Sequence, residues 1–175
     1  MTKRQAKIGA PMEVAPPSQG VSGALVVGLS ARRASEIALD RAVVLGERLR
    51  CTMHVVHVLA LEDFSVDPDS YRWDEEAKAT VERLHEVTRR ALDGYRFGWS
   101  YRVLHAEPGE GIAAFARTVQ PDFVVLGARD VGWKGALERL TVPSVSRHLI
   151  NEGLSVLVVS HDGEEASVMP DGATG

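Results

Sequence analysis

Residues 124–146 read VVLGARDVGWKGALERLTVPSVS and gather groups suited to holding a phosphate. A run of strand formers ends at Gly127, a loop carries Gly132 and Gly135, and Pro143-Ser144 opens a helical pattern. Strand, glycine loop and helix N-terminus in that order offer an anion unpaired backbone N–H groups, a hydroxyl and the positive end of a helix dipole. Arg129 and Lys134 add cations to the loop, while Asp130 adds the opposite charge.

Other reactive side chains are sparser. His54 and His57 stand three apart in an extended run, so they point to opposite faces and make a poor ligand pair. His85, His105 and His148 have no Cys or acidic partner at metal-ligand spacing, and no metal site is expected. Ser30 and Ser35 lie in GLSARRAS, where Ser35 precedes EIALDRA and reads as the N-cap of a helix. No Gly-x-Ser-x-Gly elbow is present, which removes the support for a hydrolase of that kind. Cys51 is the single cysteine, so it forms no intrachain disulfide and fits a small buried residue.

These residues need a scaffold, and the chain supplies an alternating one. Strand patterns at 24–29, 52–59, 99–106, 122–128 and 155–160 are separated by helical patterns. In the first helix Ile37, Ala38, Ala42, Leu45 and Leu49 share the expected inward face. Val81, Leu84, Val87 and Ala91 mark the second, and Ile112, Phe115, Ala116 and Val119 the third. Val142, Val145 and Leu149 mark the fourth. The 60–74 connection is acidic and contains Pro68, Tyr71 and Trp73, as a solvated crossing or a lid over the site would.

Five strands alternating with four helices predict one α/β domain. Its architecture is a doubly wound, five-stranded parallel sheet of order 3-2-1-4-5, with helices on both faces. Ligands of such sheets sit past the carboxyl ends of the strands, where strand order reverses. That places the ends of strands one and four, at Ser30 and Gly127, at the site.

The domain is expected over 23–162, with mobile tails at 1–22 and 163–175 that are rich in Pro, Gly, Ser and Gln or lack periodicity. A net charge of −4 argues against nucleic-acid binding. No run reaches the ~18 apolar residues of a membrane span, and no apolar block follows the basic N-terminus, so a cytoplasmic protein is expected.

Three segments, ALVVGLSARRASEIALDRAVVLGERLRCTMHVVHV, EPGEGIAAFARTVQPDFVVLGAR and PSVSRHLINEGLSVLVV, together resemble the universal stress proteins in order and spacing. The resemblance implies a five-stranded, adenine nucleotide alpha hydrolase-like sheet, usually dimeric, with one branch that binds ATP and one that does not. In the ATP-binding branch the phosphates are held by Gly, two residues, Gly, nine residues and Gly-Ser. An Asp ending strand one and the main chain after strand two hold the adenosine.

Carried over, the first Gly is Gly127, the second falls on Asp130, and Gly-Ser falls on Pro143-Ser144 after three extra residues. The Asp falls on Ser30 and the strand-two position on Val58. Asp130 brings charge where a phosphate would lie: like unit charges ~4 Å apart repel by roughly 4 kcal/mol at an effective dielectric of 20. A bridging cation would have to offset it. Pro143 removes an N–H donor, though it suits the first turn of a helix.

The expected nucleotide site is therefore Ser30, Val58, Gly127, Asp130 and Ser144, with ATP or AMP and Mg as the implied ligands and the triphosphate grip weakened. The run SVLVVS at 155–160 is an apolar edge strand, and pairing it with a second copy would satisfy it. The family's habit of dimerising through this strand agrees. The function expected is a homodimeric regulatory or binding module of the stress response rather than an enzyme with turnover. An ATP-binding switch with slow hydrolysis is one alternative. Another is an interaction protein acting through the 131–143 loop, with Trp133 and Leu137 exposed. Nucleotide hydrolases of similar sheet order carry Ser-Gly-Gly-x-Asp-Ser after strand one, and GLSARRAS lacks it.

Overall fold

The computed structural model describes residues 10–59, 71–128 and 144–160. The described residues form six strands: β1 (Glu13–Ala15), β2 (Gly23–Leu29), β3 (Cys51–Leu59), β4 (Trp99–His105), β5 (Phe123–Gly127) and β6 (Val156–Val159). Four helices accompany them: α1 (Arg33–Leu49), α2 (Tyr71–Ala91), α3 (Pro108–Val119) and α4 (Ser144–Asn151). The sheet order is β1-β4-β3-β2-β5-β6. The last five strands in that order are parallel to their neighbours and reproduce the expected 3-2-1-4-5 arrangement.

β1 lies inside the 1–22 stretch expected to be a mobile tail, and at residues 13–15 that expectation gives way to a paired strand. Glu13, Val14 and Ala15 pair antiparallel with Tyr101, Ser100 and Trp99. The four residues between Pro11 and Pro16, of which three form the strand, carry no periodicity of their own. Their conformation is set by the open edge of β4, which offers them backbone partners, and Pro16, with no N–H, ends the ladder.

The central strands bury both faces, as their unbroken apolar runs require. Leu25, Val27, Met53, Val55, Tyr101 and Val125 pack under α1 and α2 with Leu39 and Leu84. On the other face Val26, Val56, Leu104, Val124 and Leu126 pack under α3 and α4 with Phe115 and Leu149. Cys51 is buried, and burial, followed by the nearby Asp122 carboxylate, raises its thiol pKa.

Helix α1 is rotated relative to the expected face. Its buried residues are Ala34, Ser35, Ala38, Leu39, Ala42 and Gly46, whereas Leu49 is exposed. Small residues win this face because α1 lies close to its neighbours. A Cβ at Gly46 would run into the Tyr95 hydroxyl and lie 3.0 Å from the Met53 methyl. The α3 stripe is as expected: Ile112, Phe115 and Ala116 are buried. That helix starts where the sequence signals it, with Pro108 in the first turn and the Glu107 side chain accepting from the Glu110 N–H at 3.1 Å.

Candidate functional site

The C-terminal ends of β2, β3 and β5 open into a cleft between the first turns of α1 and α3 and the start of α4. Its lining includes Ser30, Arg32, Val58, Ile112, Gly127 and Ser146. Three of the expected site residues, Ser30, Val58 and Gly127, are thus brought together. Ser144 is the first residue of α4. Asp130, Pro143 and the 131–143 loop with Trp133 and Leu137 lie outside the described residues, as do Tyr71 and Trp73 as side chains and most of the 60–74 connection.

The turn from β2 into α1 is tied by two serines. The Ser35 hydroxyl accepts from the Ser30 N–H at 3.0 Å and sits 2.7 Å from the Ser30 carbonyl and 2.8 Å from the Arg32 carbonyl, to either of which it donates. The Ser30 hydroxyl lies 3.3 Å from the same oxygen. Ser35 is therefore not the N-cap expected of it. Arg32 occupies the N-cap position with no side-chain bond to the helix, and Ser35 stands in the first turn, buried, as a clamp on the loop behind it. The Ser35 N–H donates to the Arg32 carbonyl at 3.0 Å, and without a capping side chain the N–H groups of Arg33 and Ala34 have no acceptor within the helix.

His57 supports the same turn from below. Its Nδ1–H donates to the Leu29 carbonyl at 3.0 Å, one residue before Ser30, which fixes the proton on Nδ1. His54 faces the other way, with Nδ1 2.8 Å from the Ser100 hydroxyl and its ring edge-on to Phe115. The two histidines are on opposite faces, as their spacing predicts. Burial, and after it the Arg102 guanidinium, hold the His54 pKa below its ordinary value.

Gly127 has a structural reason to be glycine. A Cβ there would lie 2.5 Å from the Ala34 carbonyl carbon and oxygen and 2.6 Å from the Ser35 nitrogen. Among the described residues the positive-φ glycines are Gly94, Gly98 and Gly153, so at Gly127 close approach and not conformation excludes a side chain. The side chain of Val58 is part of the apolar wall, with Val56, Ile112 and Leu126.

Sequence reasoning missed Arg32, Ile112 and Ser146 as lining residues. Ser146 is buried one turn behind the Pro143-Ser144 signal. Among the described residues no group of three His, Cys, Asp or Glu is placed to hold a metal ion. Nor is any helix among them long and apolar enough to cross a membrane.

The model of the universal stress protein family matches residues 23–160. The chain belongs to the universal stress protein family. No curated protein matches it in sequence. Among solved structures it is similar to the universal stress protein UspA from Lactobacillus plantarum, with a TM-score of 0.63, 16% identity, and coverage of 81% of this chain and 99% of that one. The Arabidopsis thaliana family protein with AMP bound gives 0.59 and 17%, covering 84% and 97%. The Archaeoglobus fulgidus protein in complex with dAMP gives 0.53 and 22%, covering 80% and 99%. At these identities the likeness is one of fold.

Proposed function

We propose that this universal stress protein acts by binding, as a homodimeric regulatory module whose cleft takes an adenine mononucleotide such as AMP. The observation that carries this reading is the cleft itself. Ser30, Val58 and Gly127 meet at the strand ends where sheets of this topology bind ligands. Its wall of Val56, Val58, Ile112 and Leu126 suits a flat base. The hydroxyl of Ser30, the uncapped first turn of α1 and Arg32 supply donors and positive charge for one phosphate. Solved relatives with bound AMP and dAMP support a ligand of this size.

A mononucleotide is favoured over ATP by the loop sequence. Asp130 stands where a glycine would let backbone approach the phosphates, and Pro143 withdraws an N–H donor. The dimer reading rests on β6, an edge strand with Leu157 and Val158 exposed and no charge along it. A regulatory role is the reading that fits a cleft built to bind.

Calorimetric titration with AMP, cAMP and ATP, each with and without magnesium, tests the reading. AMP binding in the micromolar range, with ATP weaker by about tenfold, is the expected result; that ratio is about 1.4 kcal/mol. Micromolar ATP affinity that disappears in Ser144→Ala would replace this reading with a working triphosphate loop. Absence of binding by all three at millimolar concentration would remove the nucleotide reading altogether.

A further inference from the structure

The edge of β4 is covered by a segment of unusual construction. From Met12 to Ser18 the chain lies along β4 and the turn before it. The Met12 N–H donates to the Tyr101 carbonyl at 2.9 Å, and the Ser18 N–H to the Arg96 carbonyl at 2.9 Å. Gly98, at φ 74°, lets Pro17 lie flat against it; a Cβ there would be 2.8 Å from the proline ring. Apolar burial contributes little to this docking. Met12 is 49% exposed and Val14 58%, and Ala15 alone packs against the core.

A carboxylate does the anchoring in place of apolar contact. The Glu13 Oε2 accepts from His85 Nε2 at 2.6 Å and lies 3.5 Å from Arg89 Nε. The His85 ring is stacked on Tyr101 at 5.0 Å, so it is held in place over the strand that Glu13 pairs with. Neutral His85 with its proton on Nε2 already donates this bond, so the lock does not need the imidazolium. Arg89 is shared with Glu86, which also pairs with Arg90. Glu13 therefore sits at the positive end of a small charge network on α2.

Strand edges pair with other chains unless something covers them. A sheet with one open edge closes into a twofold pair, whereas one with two open edges can propagate. We propose that residues 12–18 are a detachable strap over β4, locked by Glu13 in the His85–Arg89 pair, and that opening it exposes β4 as a second pairing strand for another copy of this chain. The strap thereby limits strand-to-strand assembly to β6. This rests on the proposed β6 dimer only for the size of the final assembly; the strap and its lock stand without it.

The full chain with Glu13→Arg or Glu13→Gln tests the proposal by two readouts, amide exchange at Met12 and Ser18 and sedimentation over a range of concentrations. Charge reversal sets a guanidinium against Arg89 and removes the acceptor of the His85 Nε2 bond. It is expected to raise exchange at both amides by about tenfold or more, with Glu13→Gln in between. It should also produce species larger than the wild-type assembly that grow with concentration. Combined with Val158→Lys, which blocks β6, it should give dimers through β4. Unchanged exchange in Glu13→Arg would overturn the lock. An opened strap with no larger species, and a monomeric double variant, would overturn β4 as a pairing strand. A wild-type chain that stays monomeric while Glu13→Arg self-associates would count against the β6 dimer and leave the strap standing.

Discussion

A methyl group on Gly127 would lie 2.5 Å from the carbonyl carbon and oxygen of Ala34, so the end of β5 and the first turn of α1 meet with no room between them. Backbone atoms cannot rotate away as a side chain can. Gly127→Ala must therefore push α1 from the sheet or bend β5, an overpacking that costs about 1–3 kcal/mol. The thermal midpoint should fall, and the nucleotide affinity with it, because both displaced elements line the cleft. Gly94→Ala is a useful contrast: nothing lies within 4 Å of its Cβ position, and its φ of 75° alone sets the cost. That variant should leave ligand affinity unchanged.

Ser35 holds the turn that carries Ser30. Replacing it by alanine leaves the Ser30 N–H without its 3.0 Å acceptor in a half-buried turn, a loss of about 1–3 kcal/mol. Urea unfolding should show a lower midpoint with an unchanged slope, since the compactness of neither state is altered. AMP affinity should drop as well, because the Ser30 hydroxyl and the first turn of α1 lose their fixed relation. A midpoint equal to wild type would mean that water replaces the clamp.

The strand and helix order, the parallel topology and the placing of the cleft were legible in the sequence because each rests on a local period. VVLG at 124–127 could only be a strand buried on both faces, and IAAFARTV only a helix with one apolar stripe. What was not legible depended on neighbours distant in sequence. Glu13–Ala15 becomes a strand because β4 has a free edge, and three residues hold no period to reveal it. The α1 face turned because Gly46 must fit against Tyr95 and Met53. Ser35 looked like a cap by its position before an apolar pattern, yet the helix begins two residues earlier. Gly127 was recognised, but for its likeness to a phosphate loop, while its contact with Ala34 depends on how α1 docks.

Acid should weaken the fold through His54. Burial, and next the Arg102 guanidinium, hold its pKa below the ordinary value in the folded chain. The unfolded chain takes up that proton near pH 6.5, so the unfolded state binds more protons at slightly acid pH. The contribution of neutral His54 is then fully present above about pH 6.5 and is lost as pH falls through the lowered pKa. Urea midpoints at about pH 7.5 and about pH 5.5 should differ, and His54→Gln, which keeps a partner for the Ser100 hydroxyl, should reduce that difference. An imidazole resonance of His54 that titrates at or above the ordinary value would contradict this.

Exposure on β6 gives the assembly prediction. Leu157 and Val158 are 41% and 39% exposed, and among the described residues β6 pairs with β5 alone, so its outer N–H and carbonyl groups face away from the sheet. Pairing with the same strand of a second copy would satisfy those groups and cover both side chains under twofold symmetry. A lysine at Val158 would bring two like charges together across that axis and leave them to be desolvated. Val158→Lys is expected to shift sedimentation from dimer to monomer at micromolar concentration, and to remove the rise of the thermal midpoint with protein concentration that a dimer shows. A Val158→Lys chain that remains dimeric would place the contact between copies on another face.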